Sequence, residues 1–437
     1  MLREYINTKY GPTADDLTCE YRIEPAKGVS FEEAAENMAG ESSIDTWADV
    51  KTLSPELAKK LRPHVFFIDE ERNTIKVAYH SELFETNSIP QLLSSIAGNI
   101  FSMNLLDNLR LQDVSFPKDV INRFKGPKFG IEGIRELLNV TERPLVGTIV
   151  KPKVGLTSEK HAEVAYNAWA GGCDFVKDDE NLTNQTFNPF ERRAELTLKA
   201  RDKAEKETGE RKMYMCNITA PTCREMIRRA EFIKGHGGEY VMVDIIPTGW
   251  TALQTLREEN EELKLVIHAH RCMHSAFTRN PRHGISMLTI AKLTRLVGID
   301  QLHIGTVIGK MHGGRTEVLA LRNECVQKHV REDYEANVLE QEWGSIKPMF
   351  PVASGGLQPT MIPELVKIFS NDIIMQFGGG IHAHPSGTKA GAAACRQALD
   401  AALGKISLED AARKNEELAA AIKKWGVCKE GAGSGGE

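Results

Sequence analysis

The stretch Gly171-Gly172-Cys173-Asp174-Phe175-Val176-Lys177-Asp178-Asp179-Glu180-Asn181 sets one lysine and three carboxylates behind a short apolar run. Cys173 to Lys177 reads as a buried strand. Side chains alternate along a strand, so Lys177 and Asp179 share a face, and Glu180 sits just past the strand end, within reach of both. Two carboxylates converging at a strand terminus make the hard, oxygen-rich site that Mg2+ prefers. The lysine is the anomaly, because an ammonium has no lone pair for a metal. It can serve as a counter-ion. Alternatively, CO2 can add to its amine and give a carbamate, which offers an anionic oxygen. The plainer alternative is a lysine neutralised by neighbouring acids on a solvated loop.

From about residue 126 onward, short apolar runs alternate with longer amphipathic stretches. The runs are Leu145–Val150, Cys173–Val176, Met213–Ile218, Tyr240–Ile245, Leu265–His268, Gln301–Ile304, Phe350–Ala353 and Ile373–Phe377. Between them lie helical patterns such as Ser286–Leu296, with Met287, Ile290, Ala291 and Leu293 at helical spacing. Such β-α units fit a TIM (β/α)8 barrel, although a doubly wound open sheet has a similar period. The strand ends favour the barrel. Lys151-Pro152-Lys153, Lys177 to Glu180, Asn217, Asp244, His268-Ala269-His270-Arg271, His303, Ser354-Gly355-Gly356 and Gly378-Gly379-Gly380 all follow apolar runs. A barrel collects its active site at the C-terminal ends of its strands.

The glycine turns at Ser354-Gly355-Gly356 and Gln376-Phe377-Gly378-Gly379-Gly380 can cradle phosphate with backbone N–H groups, and they fall after late strands, where barrels bind it. Arg271 and His303 add cationic or donor groups elsewhere on the rim. Two anion sites with a metal between them imply a bisphosphate. The pair His268 and His270 raises zinc, but no third soft ligand lies at suitable spacing, and the acid-rich neighbour prefers magnesium. Lys151 and Lys153 flank a proline; beside a metal and phosphates such a lysine can act as an acid/base. Gly305 to Met311 reads as a loop with Lys310 near its end, suited to a lid over substrate.

Residues 1–125 show no regular strand-helix repeat. Tyr21-Arg22-Ile23, Val65–Ile68 and Thr74–Tyr79 read as strands, Ser30-Phe31-Glu32-Glu33 as a capping box, and Ile89-Pro90 as the start of a helix. This is a small α+β domain. The predicted organisation is thus α/β: an N-terminal α+β domain over 1–125, a barrel with C-terminal helices over 126–428, and a flexible glycine-rich tail over 429–437. The chain has 437 residues, is 41% hydrophobic and carries a net charge of −5. That balance argues against nucleic acid or an anionic membrane as main partner. Eight cysteines are scattered with no CxxC pair. This is reduced-thiol usage, and it predicts a cytoplasmic protein.

These motifs together resemble the large subunit of ribulose-1,5-bisphosphate carboxylase/oxygenase, Rubisco. The resemblance runs in order from Glu41 to Gly380, through Gly147–Lys153, Gly171–Asn181, His268–His274, His303–Lys310, Ser354–Gly356 and Gln376–Gly379. It implies that carbamylated Lys177, Asp179 and Glu180 hold Mg2+, and that Lys151, Lys177, His270 and Lys310 are catalytic. Lys153, Arg271, His303, Ser354, Gly355, Gly356, Gln376, Phe377, Gly378 and Gly379 would bind substrate. Glu41, Thr46, Trp47 and Asn99 would reach from one subunit into its partner's site, which implies at least a homodimer or an assembly of dimers. The reaction implied joins CO2 to ribulose 1,5-bisphosphate to give two 3-phosphoglycerates, with O2 competing.

Some positions depart from the family pattern. Ile44-Asp45 replaces the usual Thr-Gly, Ile149 a threonine, Ile304 a serine and Met311 a leucine; these bear on turnover and CO2/O2 selectivity more than on reaction type. The wording around Thr148–Lys151 and Phe277–Pro281 looks more like the archaeal form III group, which implies no small subunit and a role in nucleotide salvage. The rival reading is a Rubisco-like enolase or isomerase, which would lack several of Glu41, Thr46, Asn99, Lys151, His270 and Lys310. A non-catalytic sugar-phosphate-binding barrel would not need the metal triad and the lysines together.

Overall fold

The computed structural model describes residues 5–45, 52–308 and 314–427. Thr46, Trp47, Lys310, Met311 and the tail from Cys428 lie outside them. Two compact units emerge. One comprises Met1–Pro127, Met273–Gly298 and Gln327–Lys347; the other comprises Lys128–Cys272, Ile299–Val326 and Pro348–Glu437.

The second unit is a closed barrel of eight parallel strands. In chain order these are Leu145–Ile149, Phe175–Lys177, Met213–Asn217, Tyr240–Asp244, Val266–His270, Gln301–His303, Phe350–Ser354 and Ile374–Phe377. The eighth pairs with the first, from Ile374 opposite Leu145 to Phe377 opposite Thr148, and this closes the cylinder. All eight apolar runs are strands, with ends shifted by a residue or two. One end of the barrel is sealed by hydrocarbon. Ile131, Ile134 and Leu138 of the helix Gly130–Leu138 join a core with Leu145, Met213, Tyr240, Val266, Phe350 and Ile374, each the first residue of its strand. Asp300 fastens that helix start, accepting the amides of Phe129 and Gly130 at 2.7 and 3.0 Å, and of Ile267 at 3.0 Å. Only the opposite end of the barrel is left for polar chemistry.

The first unit is built on a five-stranded sheet. Its central strand Asp16–Pro25 runs antiparallel to Thr74–His80 on one side and to Leu106–Ser115 on the other. The expected capping box is present, with Ser30 accepting the Glu33 amide at the head of Phe31–Glu41. Leu106–Ser115 was not expected from its sequence, because Asp107, Asn108, Arg110, Gln112 and Asp113 interrupt the apolar alternation. Remote partners reconcile those polar groups with burial. The Asp113 carboxylate, fully buried, takes Lys292 Nζ at 2.7 Å and the Leu339 amide at 2.7 Å. Lys292 lies on Met287–Val297, a helix that the periodicity assigns to the barrel but that groups with the first unit and is buried along its whole length. Its Arg295 donates to the carbonyls of Gln327, Ile346 and Lys347 and lies over the Trp343 ring.

One buried charge here is poorly compensated. Both carboxylate oxygens of Glu20 are buried without a hydrogen bond, and Lys76 stands 3.6 Å away while pairing with Glu332. Burial first, with Asp113 and Glu332 adding to it against the pull of Lys76, raises Glu20 from 4.5 to about 7. Below 4.5 the group is protonated whether the chain is folded or not, so it contributes nothing. Above 7 the folded state bears the full cost, on the order of 3 kcal/mol. Glu20→Gln is therefore expected to raise the melting midpoint at pH 8 and leave it unchanged at pH 4. An equal effect at both pH values would refute this account.

Candidate active site at the open end of the barrel

The strand ends deliver the reactive groups to one place. Lys177, Asn217, Asp244, His270, His303 and Ser354 are the last residues of their strands, and Lys151 follows the first strand within two residues. Lys177 is wholly buried. Its ammonium would carry three donors, yet it finds the Asp178 carbonyl at 2.8 Å, the Met242 thioether at 3.1 Å and a Glu180 oxygen only at 3.9 Å. Burial lowers its pKa below the ordinary lysine value, against the opposing pull of Glu180, Asp244, Asp179 and Asp178. A lysine so held is more readily a neutral amine, the form that attacks CO2.

Asp179 is engaged by Lys151, whose Nζ donates at 2.7 Å, and by the amide and side chain of Asn181 at 3.2 and 2.9 Å. Burial works to raise its pKa, but those donors hold it below the usual carboxylate value. Glu180 is half-buried and lies 3.6 Å from His270 Nε2. Two carboxylates and an amine able to become an anionic carbamate form a set of hard oxygen donors that fits Mg2+.

Asp178, by contrast, faces away from this cluster and anchors it. It accepts Tyr214 Oη at 2.6 Å, Arg193 Nε at 3.1 Å and the Asn217 amide at 3.0 Å, and lies 3.1 Å from His161 Nε2. Burial pushes its carboxyl up, but Arg193, His161 and Tyr214 outweigh that and hold it ionised. Sequence reasoning missed this support. The available signal was Arg193 lying within the apolar stripe Phe190, Ala194, Thr197, Leu198 of the helix Phe190–Thr208.

The histidines are more deeply buried than their sequence setting indicates. His268 donates from Nδ1 to Gln301 Oε1 at 2.8 Å and shares a hydrogen bond between its Nε2 and His303 Nε2 at 2.9 Å, a hydrogen-bonded core residue. Burial, reinforced by His268, His270, Lys177 and Arg271, keeps His303 well below the usual imidazole value. Burial and Lys177 also depress His270, against Asp244 and Glu180. Burial lowers Arg271 to about 10 despite Glu317, which leaves it charged at neutral pH.

The two glycine turns differ in form. Gly355 and Gly356 have φ of +127° and +73°, a conformation that side chains disfavour, so these positions need glycine. Gly379 opens the short helix Gly379–His382 with nothing within 4 Å of where a Cβ would stand, and Gly378 lies against Lys151 Cε. Gln376 and Phe377 are buried in the barrel wall; the Gln376 amide donates to the Met215 sulfur, and the Phe377 carbonyl accepts Thr148 Oγ1. Lys153 is exposed. Glu41 closes the helix Phe31–Glu41 and Asn99 opens the short helix Asn99–Ser102, both in the first unit.

The sequence matches two family descriptions: Ribulose bisphosphate carboxylase large chain, N-terminal domain, over residues 4–120, and the catalytic domain of the same chain over 130–425. The chain belongs to the ribulose bisphosphate carboxylase large-chain family. Among its relatives, a ribulose bisphosphate carboxylase of Methanosarcina barkeri is 68% identical over 97% of this chain and 99% of its own length. One from Methanocaldococcus jannaschii is 53% identical over 97% and 100%. Solved archaeal structures agree in fold. The octameric Rubisco of Pyrococcus horikoshii, crystallised with sulfate, superposes with a TM-score of 0.91 at 46% identity, covering 98% of this chain and 97% of that one. The dimeric Rubisco of Hyperthermus butylicus gives 0.92 at 45% identity over 98% and 99%. These relatives carry the carboxylase name, which favours the Rubisco reading over a Rubisco-like enolase. Among the described residues no helix is long and apolar enough to cross a membrane.

Proposed function

We propose that this chain carboxylates ribulose 1,5-bisphosphate, giving two 3-phosphoglycerates, with O2 as a competing reactant. The observation that carries the reading is Lys177: a fully buried, under-hydrogen-bonded amine at a barrel strand end, among Asp179, Glu180 and Asp244. CO2 adds to its neutral amine, which gives up a proton to solvent and becomes a carbamate, and a carbamate oxygen with Asp179 and Glu180 would hold Mg2+. When bound, Mg2+ supplies Lewis acidity toward the substrate's oxygens.

In this mechanism the Lys177 carbamate takes the C3 proton of the substrate. Lys151, now bonded to Asp179, is the donor of the final proton after C–C cleavage. His270, in contact with both Glu180 and Asp244, moves protons among the substrate hydroxyls. Lys310, on the predicted lid, stabilises the new carboxylate, and Lys153 supports the metal site. Arg271, His303 and Ser354 hold one phosphate; Thr46, Trp47, Lys310, Gly356, Gly378 and Gly379 hold the other, the glycines through the turn geometry described above. Gly355 belongs to the same phosphate turn, while Gln376 and Phe377 contribute through the wall they form.

Glu41, Thr46, Trp47 and Asn99 complete the site from a partner subunit, so the working unit is a homodimer or an assembly of dimers without a small subunit. The dimeric and octameric archaeal neighbours support that choice. Free thiols at all seven described cysteines fit a cytoplasmic protein.

Labelled CO2 fixation tests the reading. After incubation with bicarbonate and Mg2+, addition of ribulose 1,5-bisphosphate is expected to put acid-stable label into 3-phosphoglycerate. Exchange of a substrate-carbon proton with solvent, without fixation, would mean that the chemistry stops at enolisation.

A further inference from the structure

Beside the proposed magnesium site lies a second convergence of ligand atoms. Asp244, His270 and Cys272 each offer one, and the three lie within 4.8 Å of one another. The Asp244 Oδ2 atom is occupied, accepting Asn217 Nδ2 at 3.3 Å and Thr219 Oγ1 at 3.2 Å. Its Oδ1 is buried without a hydrogen bond and faces His270 Nδ1 at 3.4 Å. That nitrogen accepts the Cys272 amide at 3.2 Å, so in this geometry it carries no proton to donate to the carboxylate. Two electron-rich atoms at this separation require a proton or a cation between them.

The third ligand decides which kind of cation fits. An imidazole, a carboxylate and a thiol make a borderline-soft set, suited to Zn2+ or Co2+ with an open fourth position and unsuited to Mg2+. By chain spacing alone, zinc lacks a third soft ligand near His268 and His270. The structure supplies it from Cys272, two residues past the strand end, and takes the carboxylate from the neighbouring strand.

We propose that Asp244, His270 and Cys272 form an inhibitory site for a borderline-soft divalent cation of the Zn2+ or Co2+ class. Coordination releases the thiol proton to solvent and ties the His270 ring to Asp244, away from the substrate hydroxyls. The inhibition rests on the carboxylase reading; the binding does not.

The test uses the full-length protein, freed of metal and bicarbonate, and titrated with Co2+. Binding of a single Co2+ per chain with a thiolate-to-cobalt charge-transfer band is expected, and the band should vanish in Cys272→Ala. Equilibrium dialysis should show Zn2+ affinity at least tenfold weaker in that variant, with Cys272→Ser as a second, nearly isosteric variant. In fixation assays with excess Mg2+, Zn2+ should inhibit the parent, and Cys272→Ala should resist at least tenfold more Zn2+ while its uninhibited rate is unchanged. Co2+ bound without the sulfur band, or equal Zn2+ sensitivity in both proteins, would overturn the proposal and place the cation at Lys177, Asp179 and Glu180. A sulfur band in a protein that fixes no CO2 would uphold the site while refuting the proposed function.

Discussion

Lys177→Met is expected to lower CO2 fixation by at least about a thousandfold while leaving a folded barrel. Methionine keeps the length and apolar contacts of the lysine stem beside Met242 but cannot form a carbamate. Two contributions vanish together: the anionic oxygen that completes the metal set and the base that takes the C3 proton. General-base catalysis alone is worth roughly 10²–10⁴. The check is labelled-bicarbonate incorporation, with circular dichroism to confirm that the variant is folded. Residual fixation within tenfold of the parent would remove Lys177 from the mechanism.

The same residue sets a pH dependence for activation. Carbamate formation consumes the neutral amine, and burial lowers the pKa of Lys177. At a fixed concentration of dissolved CO2, activation should therefore rise with pH and reach its midpoint below the pH at which an exposed lysine loses its proton. A midpoint at the ordinary lysine value would show that burial does not prepare this amine.

Asp113→Ala is expected to destabilise the first unit by about 3–5 kcal/mol, the usual result of leaving one member of a buried ion pair alone. The pair is fully enclosed: Lys292 Nζ meets Asp113 at 2.7 Å and the Val114 carbonyl at 3.0 Å, while Asp113 also accepts the Leu339 and Val114 amides at 2.7 and 2.8 Å. The alanine strands an ammonium in a dry interior and two amides without their acceptor. Lys292→Met should cost less, since Asp113 retains both amides. The double variant should cost less than the sum of the two, because each single change removes the same interaction. Urea unfolding followed by a probe in this unit measures all three. A loss below about 1 kcal/mol for Asp113→Ala would mean that the pair is replaceable by solvent.

Much of the barrel and its site was legible because each strand states its place twice: once by an apolar run and again by the reactive residue that ends it. Lys177 and His270 could be placed at the open end on that ground alone. The strand Leu106–Ser115 was not legible, since its Arg110 and Asp113 look like surface residues until Asn280 and Lys292 are brought to them from more than 150 residues away. The helix Met287–Val297 has a barrel helix's periodicity, yet its buried Lys292 and Arg295 find their partners in the first unit. Cys272 was overlooked for a different reason. Ligand spacing along the chain shows only neighbours in sequence, whereas Asp244 and His270 are neighbours only through the pairing of two strands. Alternation along the strand already sets Asp178 opposite Lys177 and Asp179, but its four partners come from distant positions and could not be read from the sequence.

The interleaving of the two units has a consequence for biosynthesis. A chain leaving the ribosome presents residues up to Pro127 first, but the sheet edge at Gly284–Ile285, the cation for Asp113 and the segment up to Lys347 all emerge later. Domains generally fold as units during translation, the N-terminal one first. Here the N-terminal one must wait, with Asp113 and its neighbours unsatisfied, until most of the barrel's strands have already been synthesised. The early product of translation is thus an unfinished sheet with an open edge, and its safe passage depends on how quickly the ribosome delivers the remainder of the same polypeptide.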